Sequence, residues 1–300
     1  MRETAGNQQG SGPAVPALPP PFAGVDEQRD DLEALEMRLL LEAVHERYGL
    51  DFRDYAPGSL RRRLWKRINE EGLRTVSGLL ERVLHDSACM ERLLLDLSVN
   101  VTAMFRDPPY WQALQKHVFE RLHTYAFTRI WVAGCSTGEE VWSLAIALHE
   151  HGLLERTRIY ATDMNEKVLE VARMGVFPME RMQEYTRNYL AAGGDRSFSE
   201  YYTAGYDGAI FQRSLADNVV FAHHNLATDR SFNEFHVVIC RNVLIYFDKP
   251  LQNRVHELFW ASLPPLGMLA LGPKESVQFS PHADQYENLD ELQRIYRRAQ

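Results

Sequence analysis

The segment Trp131-Val132-Ala133-Gly134-Cys135-Ser136-Thr137-Gly138-Glu139-Glu140 constrains the fold of this chain more than any other. An apolar run passes through small residues directly into a helix-forming run. That order fits a strand turning into a crossover helix, and in a doubly wound sheet the ligand meets the strand ends at such a turn. Small side chains there let a ligand approach the backbone closely. The next strand is expected to end in Ala161-Thr162-Asp163, with its acidic residue 25 positions after Gly138. A carboxylate in that place can accept hydrogen bonds from both hydroxyls of a ribose.

From about Thr128 onward the rhythm of short apolar runs and helical stretches continues, the mark of a parallel α/β sheet. It predicts strands over 129–133, 157–161, 219–223, 236–240 and 266–271, with crossover helices over 141–149 and 166–174. The stretch 178–217, rich in Tyr and Gly, breaks the rhythm and is expected to be an inserted small β-subdomain. Ahead of the sheet the pattern is helical. Leu32, Leu35, Leu39, Ala43 and Tyr48 are spaced as one apolar face. Ser59 suits the N-cap of a second helix through Leu60, Leu64, Trp65 and Ile68 to near Gly72, and two more helices are expected over 76–84 and 90–97. Residues 1–28, with Gly10, Gly12, Pro13, Pro16 and Pro19 to Pro21, predict a tail without regular structure. The chain therefore divides into a tail (1–28), a small all-α domain (29–98), a linker helix (99–127) and an α/β domain (128–300).

Composition narrows the function. A formal net charge of −8 disfavours nucleic acid as the main partner. Cys89, Cys135 and Cys240 are too scattered for a disulfide framework or a zinc site, which suits a reducing cytoplasm. No run reaches the roughly 20 apolar residues of a membrane span, and no secretory signal opens the sequence, so direct membrane insertion is not expected. His223 and His224 are neighbours on a predicted strand and point to opposite faces, so no metal is expected there.

Two cofactor classes fit the Gly134 turn in outline. A dinucleotide wants Gly-x-Gly-x-x-Gly so that pyrophosphate can sit on the helix N-terminus. Here Glu139 occupies the last glycine position and Glu140 follows. Two carboxylates repel a pyrophosphate and favour a sulfonium bearing an ammonium group, as in S-adenosylmethionine. No Gly-Lys-Ser or Gly-Lys-Thr follows, which removes a P-loop. Asp107-Pro108-Pro109-Tyr110 spells the tetrapeptide with which nucleic-acid adenine methyltransferases hold a flipped base. It precedes a predicted helix and follows no strand of the sheet, so that reading is set aside.

Further segments carry a family resemblance. Asn100-Val101-Thr102-Ala103-Met104-Phe105-Arg106-Asp107 resembles the Asn-x-Thr-x-Phe-Phe-Arg-Asp motif of the CheR family of chemotaxis receptor methyltransferases. Cys135 to Glu140, Ala161 to Asp163, His224-Asn225-Leu226 and Cys240 to Asp248 are similar to that family's other motifs, in order. The resemblance spans about residues 31–298. It implies a Rossmann-like class I S-adenosylmethionine methyltransferase domain of α/β class, with an inserted β-subdomain and a preceding all-α domain. It implies cofactor contacts at Asn100, Thr102, Arg106, Glu140, Asp163, Asn225, Leu226, Arg241 and Asn242, with Arg106 and Tyr246 beside the transferable methyl. The implied substrate is a glutamate carboxylate in the cytoplasmic helical region of methyl-accepting chemotaxis-type receptors. Val141-Trp142 stands where the family has Pro-Tyr, Met104 where it has Phe, and Gly272-Pro273-Lys274-Glu275-Ser276 where it has Gly-x-Ser-Glu-Ser.

A glutamate is ionised at neutral pH, its reference pKa being about 4.3. Methyl transfer to it needs neither a base nor a metal, only alignment, which suits a site built of Arg106 and Tyr246. Arg61, Arg62, Arg63, Lys66 and Arg67 crowd one helix and are expected to dock an acidic receptor helix. The loop Tyr202 to Gly208 is short beside those of members that grip a receptor tail peptide, which favours tail-independent recognition. The alternative kept open is a degenerate member acting as a cofactor-binding regulatory or scaffold protein.

Overall fold

The computed structural model describes residues 29–98, 102–206 and 208–300. Four helices come first: α1 (Arg29–Tyr48), α2 (Pro57–Glu70), α3 (Val76–His85) and α4 (Ser87–Leu97). Thr75 caps α3 by accepting from the Gly78 N–H, and Asp86 caps α4 by accepting from the Ala88 N–H. The start of α2 differs from the expectation at Ser59. Pro57 opens the helix after Ala56, its fixed φ and missing N–H suiting a first turn. The inward face of α1 also differs. Leu40, Leu41 and Val44 are buried, whereas Leu32, Leu35 and Leu39 are 55%, 40% and 50% exposed. Both stripes have helical spacing, and periodicity by itself does not choose between them.

After α5 (Pro108–Leu114), a π turn (Gln115–Phe119) leads into α6 (Glu120–Leu122). The α/β part follows as β1 (Thr128–Ala133), α7 (Glu139–Glu150), β2 (Thr157–Asp163) and α8 (Glu166–Met174). The insertion comes next, with β3 (Val176–Phe177), α9 (Met182–Ala191), β4 (Tyr202–Gly205) and β5 (Gly208–Phe211). Then come β6 (Val219–His223), β7 (Val237–Cys240), α10 (Lys249–Ser262), β8 (Met268–Leu271), β9 (Tyr286–Asp290) and β10 (Ile295–Arg298). The large sheet has the order β6-β2-β1-β7-β8-β10-β9. Its first five strands are parallel, while β10 runs antiparallel to both β8 and β9. The chain winds outward from β1 through β2 to β6, then returns to β7 on the other side of β1. That reversal opens a crevice at the carboxyl ends of β1 and β7. The insertion is less of a sheet than the sequence suggests. Its three short strands pair antiparallel as β3-β5-β4, and α9 takes up much of the span between β3 and β4.

Side chains of one strand alternate between two cores. Ile130 and Val132 pack with α5, α7 and the insertion. Trp131 and Ala133 pack on the other face with α10 and with Leu40, Phe52 and Leu64 of the helical segment. The all-α segment and one face of the sheet thus share a continuous core. Among the described residues no helix is long and apolar enough to cross a membrane.

Candidate active site

The strand ends around the β1–β7 crevice bring the site residues together. One cleft is lined by Thr102, Arg106, Glu140, Asp163, Asn225, Leu226, Arg241, Asn242 and Tyr246, all singled out by the sequence. Asn100 lies outside the described residues. Gly134 and Gly138 shape the turn after β1, and the fold itself requires them there. Both have positive φ, and a Cβ would strike Val243 at Gly134 and Ala172 at Gly138. Neighbouring protein atoms, before any ligand, demand glycine here.

At the end of β2 the Asp163 Oδ2 accepts from the Ser136 N–H at 2.9 Å, and Oδ1 accepts from the Asn165 N–H at 3.0 Å. Burial pushes its carboxyl above the ordinary range, opposed by backbone N–H groups of Ser136, Asn165 and Met164. The carboxylate is thereby aimed and held. Asn225 is pinned in a tight turn. Its side-chain oxygen accepts from the Ala227 N–H at 2.9 Å, and its own N–H donates to Asp229 at 2.9 Å.

The two glutamates that open α7 part company. Glu140 lines the cleft and accepts from Arg241 Nη1 at 2.9 Å. Glu139 turns into the interior, where the hydroxyls of Thr137 and Tyr185 donate to it and burial raises its carboxyl pKa. Consecutive helical residues point about 100° apart, so only one of the pair faces the cleft. Arg241 is buried and forms a second ion pair, its Nη2 donating to Asp107 at 2.7 Å, while its guanidinium lies 3.8 Å from the Tyr110 ring centroid. Asp107 and Tyr110 of the Asp-Pro-Pro-Tyr stretch are engaged in this stack at the start of α5, so the tetrapeptide opens a helix and does not itself follow a strand of the sheet.

Sequence reasoning passed over Glu275. Its carboxylate is buried and accepts backbone N–H groups of Gly272 at 2.6 Å, Asn242 at 3.0 Å and Val243 at 2.8 Å. It thereby fixes the loop in which Asn242 takes a φ of 61° and Tyr246 ends a short 3₁₀ turn. Its one signal was that it survives in the departed Gly272-to-Ser276 segment. Phe105, Asp107 and Ser136 are likewise held at positive φ, so left-handed, non-glycine backbone gathers around this cleft. The thiols of Cys135 and Cys240 are pushed well up by burial and serve as packing.

The proposed docking residues separate. Arg61, Arg62 and Lys66 are exposed, Arg61 pairing with Glu33 and Lys66 with Asp96. Arg63 and Arg67 are buried and leave the surface group. Arg67 pairs with Asp96 and Glu71. Arg63 donates to the Leu97 carbonyl and stacks its guanidinium 4.5 Å from the Tyr246 ring centroid. A helix carrying cations at successive positions necessarily turns some of them inward.

The donor set suits a nucleoside with a cationic tail. Asp163 can hold a ribose, Met164 and Leu226 are apolar walls, and Glu140 can face an ammonium. Comparison with known proteins agrees. Residues 100–293 match the family model described as "CheR methyltransferase, SAM binding domain", and residues 35–98 match "CheR methyltransferase, all-alpha domain". The chain is 51% identical over 265 residues to the Pseudomonas putida protein Cher3, covering 88% of this chain and 97% of that one. It is 30% identical to the chemotaxis protein methyltransferase of Escherichia coli, covering 83% and 87%. It is 29% identical to that of Salmonella typhimurium, covering 87% and 88%.

Proposed function

The chain belongs to the CheR methyltransferase family, and from that premise we propose that it esterifies glutamates in the cytoplasmic helical region of chemotaxis-type receptors. The products are glutamate methyl esters and S-adenosylhomocysteine, which makes the protein a protein-glutamate O-methyltransferase working in the cytoplasm. The observation that carries the reading is the meeting of Arg106, Glu140, Asp163, Asn242 and Tyr246 in one cleft at the reversal of the sheet.

When bound, S-adenosylmethionine supplies a methyl group activated by a sulfonium. Asp163 would accept hydrogen bonds from the ribose hydroxyls, Leu226 and Asn225 would border the base, and Glu140, held in place by Arg241, would face the ammonium. Thr102 and Asn242 complete the wall. Arg106 orients the incoming carboxylate through charge-assisted hydrogen bonds, and Tyr246 flanks the line of transfer. The acceptor is already ionised, so alignment supplies most of the acceleration. Arg61, Arg62 and Lys66 on the outer face of α2 meet the acidic receptor helix.

Labelled methyl transfer from S-adenosylmethionine to receptor cytoplasmic fragments tests this. Label released by alkali as methanol is the expected result. A wild-type protein that binds cofactor yet labels no receptor fragment would overturn the esterification and leave a cofactor-binding regulator.

A further inference from the structure

Tyr55 lies in the loop between α1 and α2, far from the sheet in sequence, yet it lines the same cleft as Asp163, Met164 and Leu226. It is 8% exposed. Its ring meets Phe52 and Phe247 edge-on, each at 5.0 Å between centroids. The backbone on both sides is strapped to the Tyr246 loop. The Ala56 N–H donates to the Tyr246 carbonyl at 2.9 Å, and the Asp248 N–H donates to the Asp54 carbonyl at 2.9 Å. The ring is therefore held between two aromatic neighbours on a strapped loop, at the edge of the cleft.

Its hydroxyl is less well served. It donates to the Met164 Sδ at 3.5 Å, and a thioether is a weak acceptor. Buried tyrosine hydroxyls ordinarily find a firmer partner. Burial, reinforced by the Asp163 carboxylate, pushes the phenol pKa far up, so the group stays an O–H donor. Adenine offers ring nitrogens as acceptors and flat apolar faces.

We propose that Tyr55 is an adenine-recognising residue that the all-α segment contributes to the cofactor cleft, its hydroxyl donating to a ring nitrogen and its ring walling the base. The proposal rests on the cofactor reading above and extends it: the all-α segment selects the cofactor as well as facing the receptor.

Isothermal calorimetry with S-adenosylhomocysteine on the full chain tests it. Tyr55→Phe keeps every ring contact and loses only the donor, and it is expected to weaken binding about 3- to 10-fold with the ligand-free thermal midpoint unchanged. Tyr55→Leu loses ring and donor together and is expected to weaken binding further. Tyr55→Phe binding within about twofold of wild type overturns the assignment, since a purely structural tyrosine loses nothing by that change. Wild-type protein serves as the control. If it fails to bind S-adenosylhomocysteine, the methyltransferase reading falls with the inference. If it binds and Tyr55→Phe matches it, only the role of Tyr55 falls.

Discussion

Two carboxylates that the mechanism never touches decide how well the cleft is built. Glu275 gathers the N–H groups of Gly272, Asn242 and Val243. Glu275→Gln turns an amide N–H₂ toward those donors and leaves at least one of them unmet, at a cost of about 1–3 kcal/mol. The expected result is a lower urea midpoint together with weaker S-adenosylhomocysteine binding, and an unchanged midpoint would contradict it. Glu139 makes a pH argument. Burial holds its folded-state pKa above the ordinary carboxylate value. A raised acid contributes its stability fully below the unfolded-state pKa and loses that contribution as pH rises through the folded value. Stability relative to Glu139→Gln should therefore shift toward wild type as pH falls from about 8 to about 5, followed by denaturant titration at each pH. Glu139 also shows where sequence reading stops. The Glu139-Glu140 pair was legible as a helix opening, but which of the two lines the cleft depends on helix phase and was indicated only by the resemblance.

At the scale of elements, α2 presents two faces of one charged run. Arg62 and Lys66 point outward, while Arg63 reaches the Tyr246 ring. The double substitution Arg62→Glu, Lys66→Glu is expected to lower receptor methylation by roughly tenfold at low salt, less at high salt, with S-adenosylhomocysteine affinity kept. Equal methylation rates at low salt would remove α2 from the docking surface. The elements themselves were largely readable, because buried parallel strands leave apolar runs and the crossover helices leave amphipathic ones. The inward face of α1 was not, because leucines mark two of its faces. Nor was α9, whose Met182, Tyr185 and Tyr189 keep helical spacing but lie in a Tyr- and Gly-rich stretch read as a small sheet. Of the cleft residues at the strand ends, Asp163 was readable from the turn after β1 and its spacing, while Asn225, Leu226, Arg241, Asn242 and Tyr246 came through the family resemblance. Tyr55 and Glu275 were not readable, because each acts across a distance in sequence that local patterns do not record.

The whole molecule is joined by the core that the all-α segment and the sheet share, where Leu40, Phe52 and Leu64 belong to the same cluster as Trp131, Val238 and Leu269. Units with a common core unfold together, so differential scanning calorimetry is expected to show one transition whose calorimetric and van't Hoff enthalpies agree. Two resolved transitions would mean that the helices stand alone. The strap between Asp54–Ala56 and Tyr246–Asp248 bears also on how the protein is made. Its two halves are separated by about 190 residues, and Glu275 comes later still. During vectorial synthesis the amino-terminal helices leave the ribosome long before the strands that complete the cleft. A chain stalled part-way has its amino-terminal helices but lacks Arg241, Asn242 and Glu275, so the cleft comes into being only when synthesis is nearly complete.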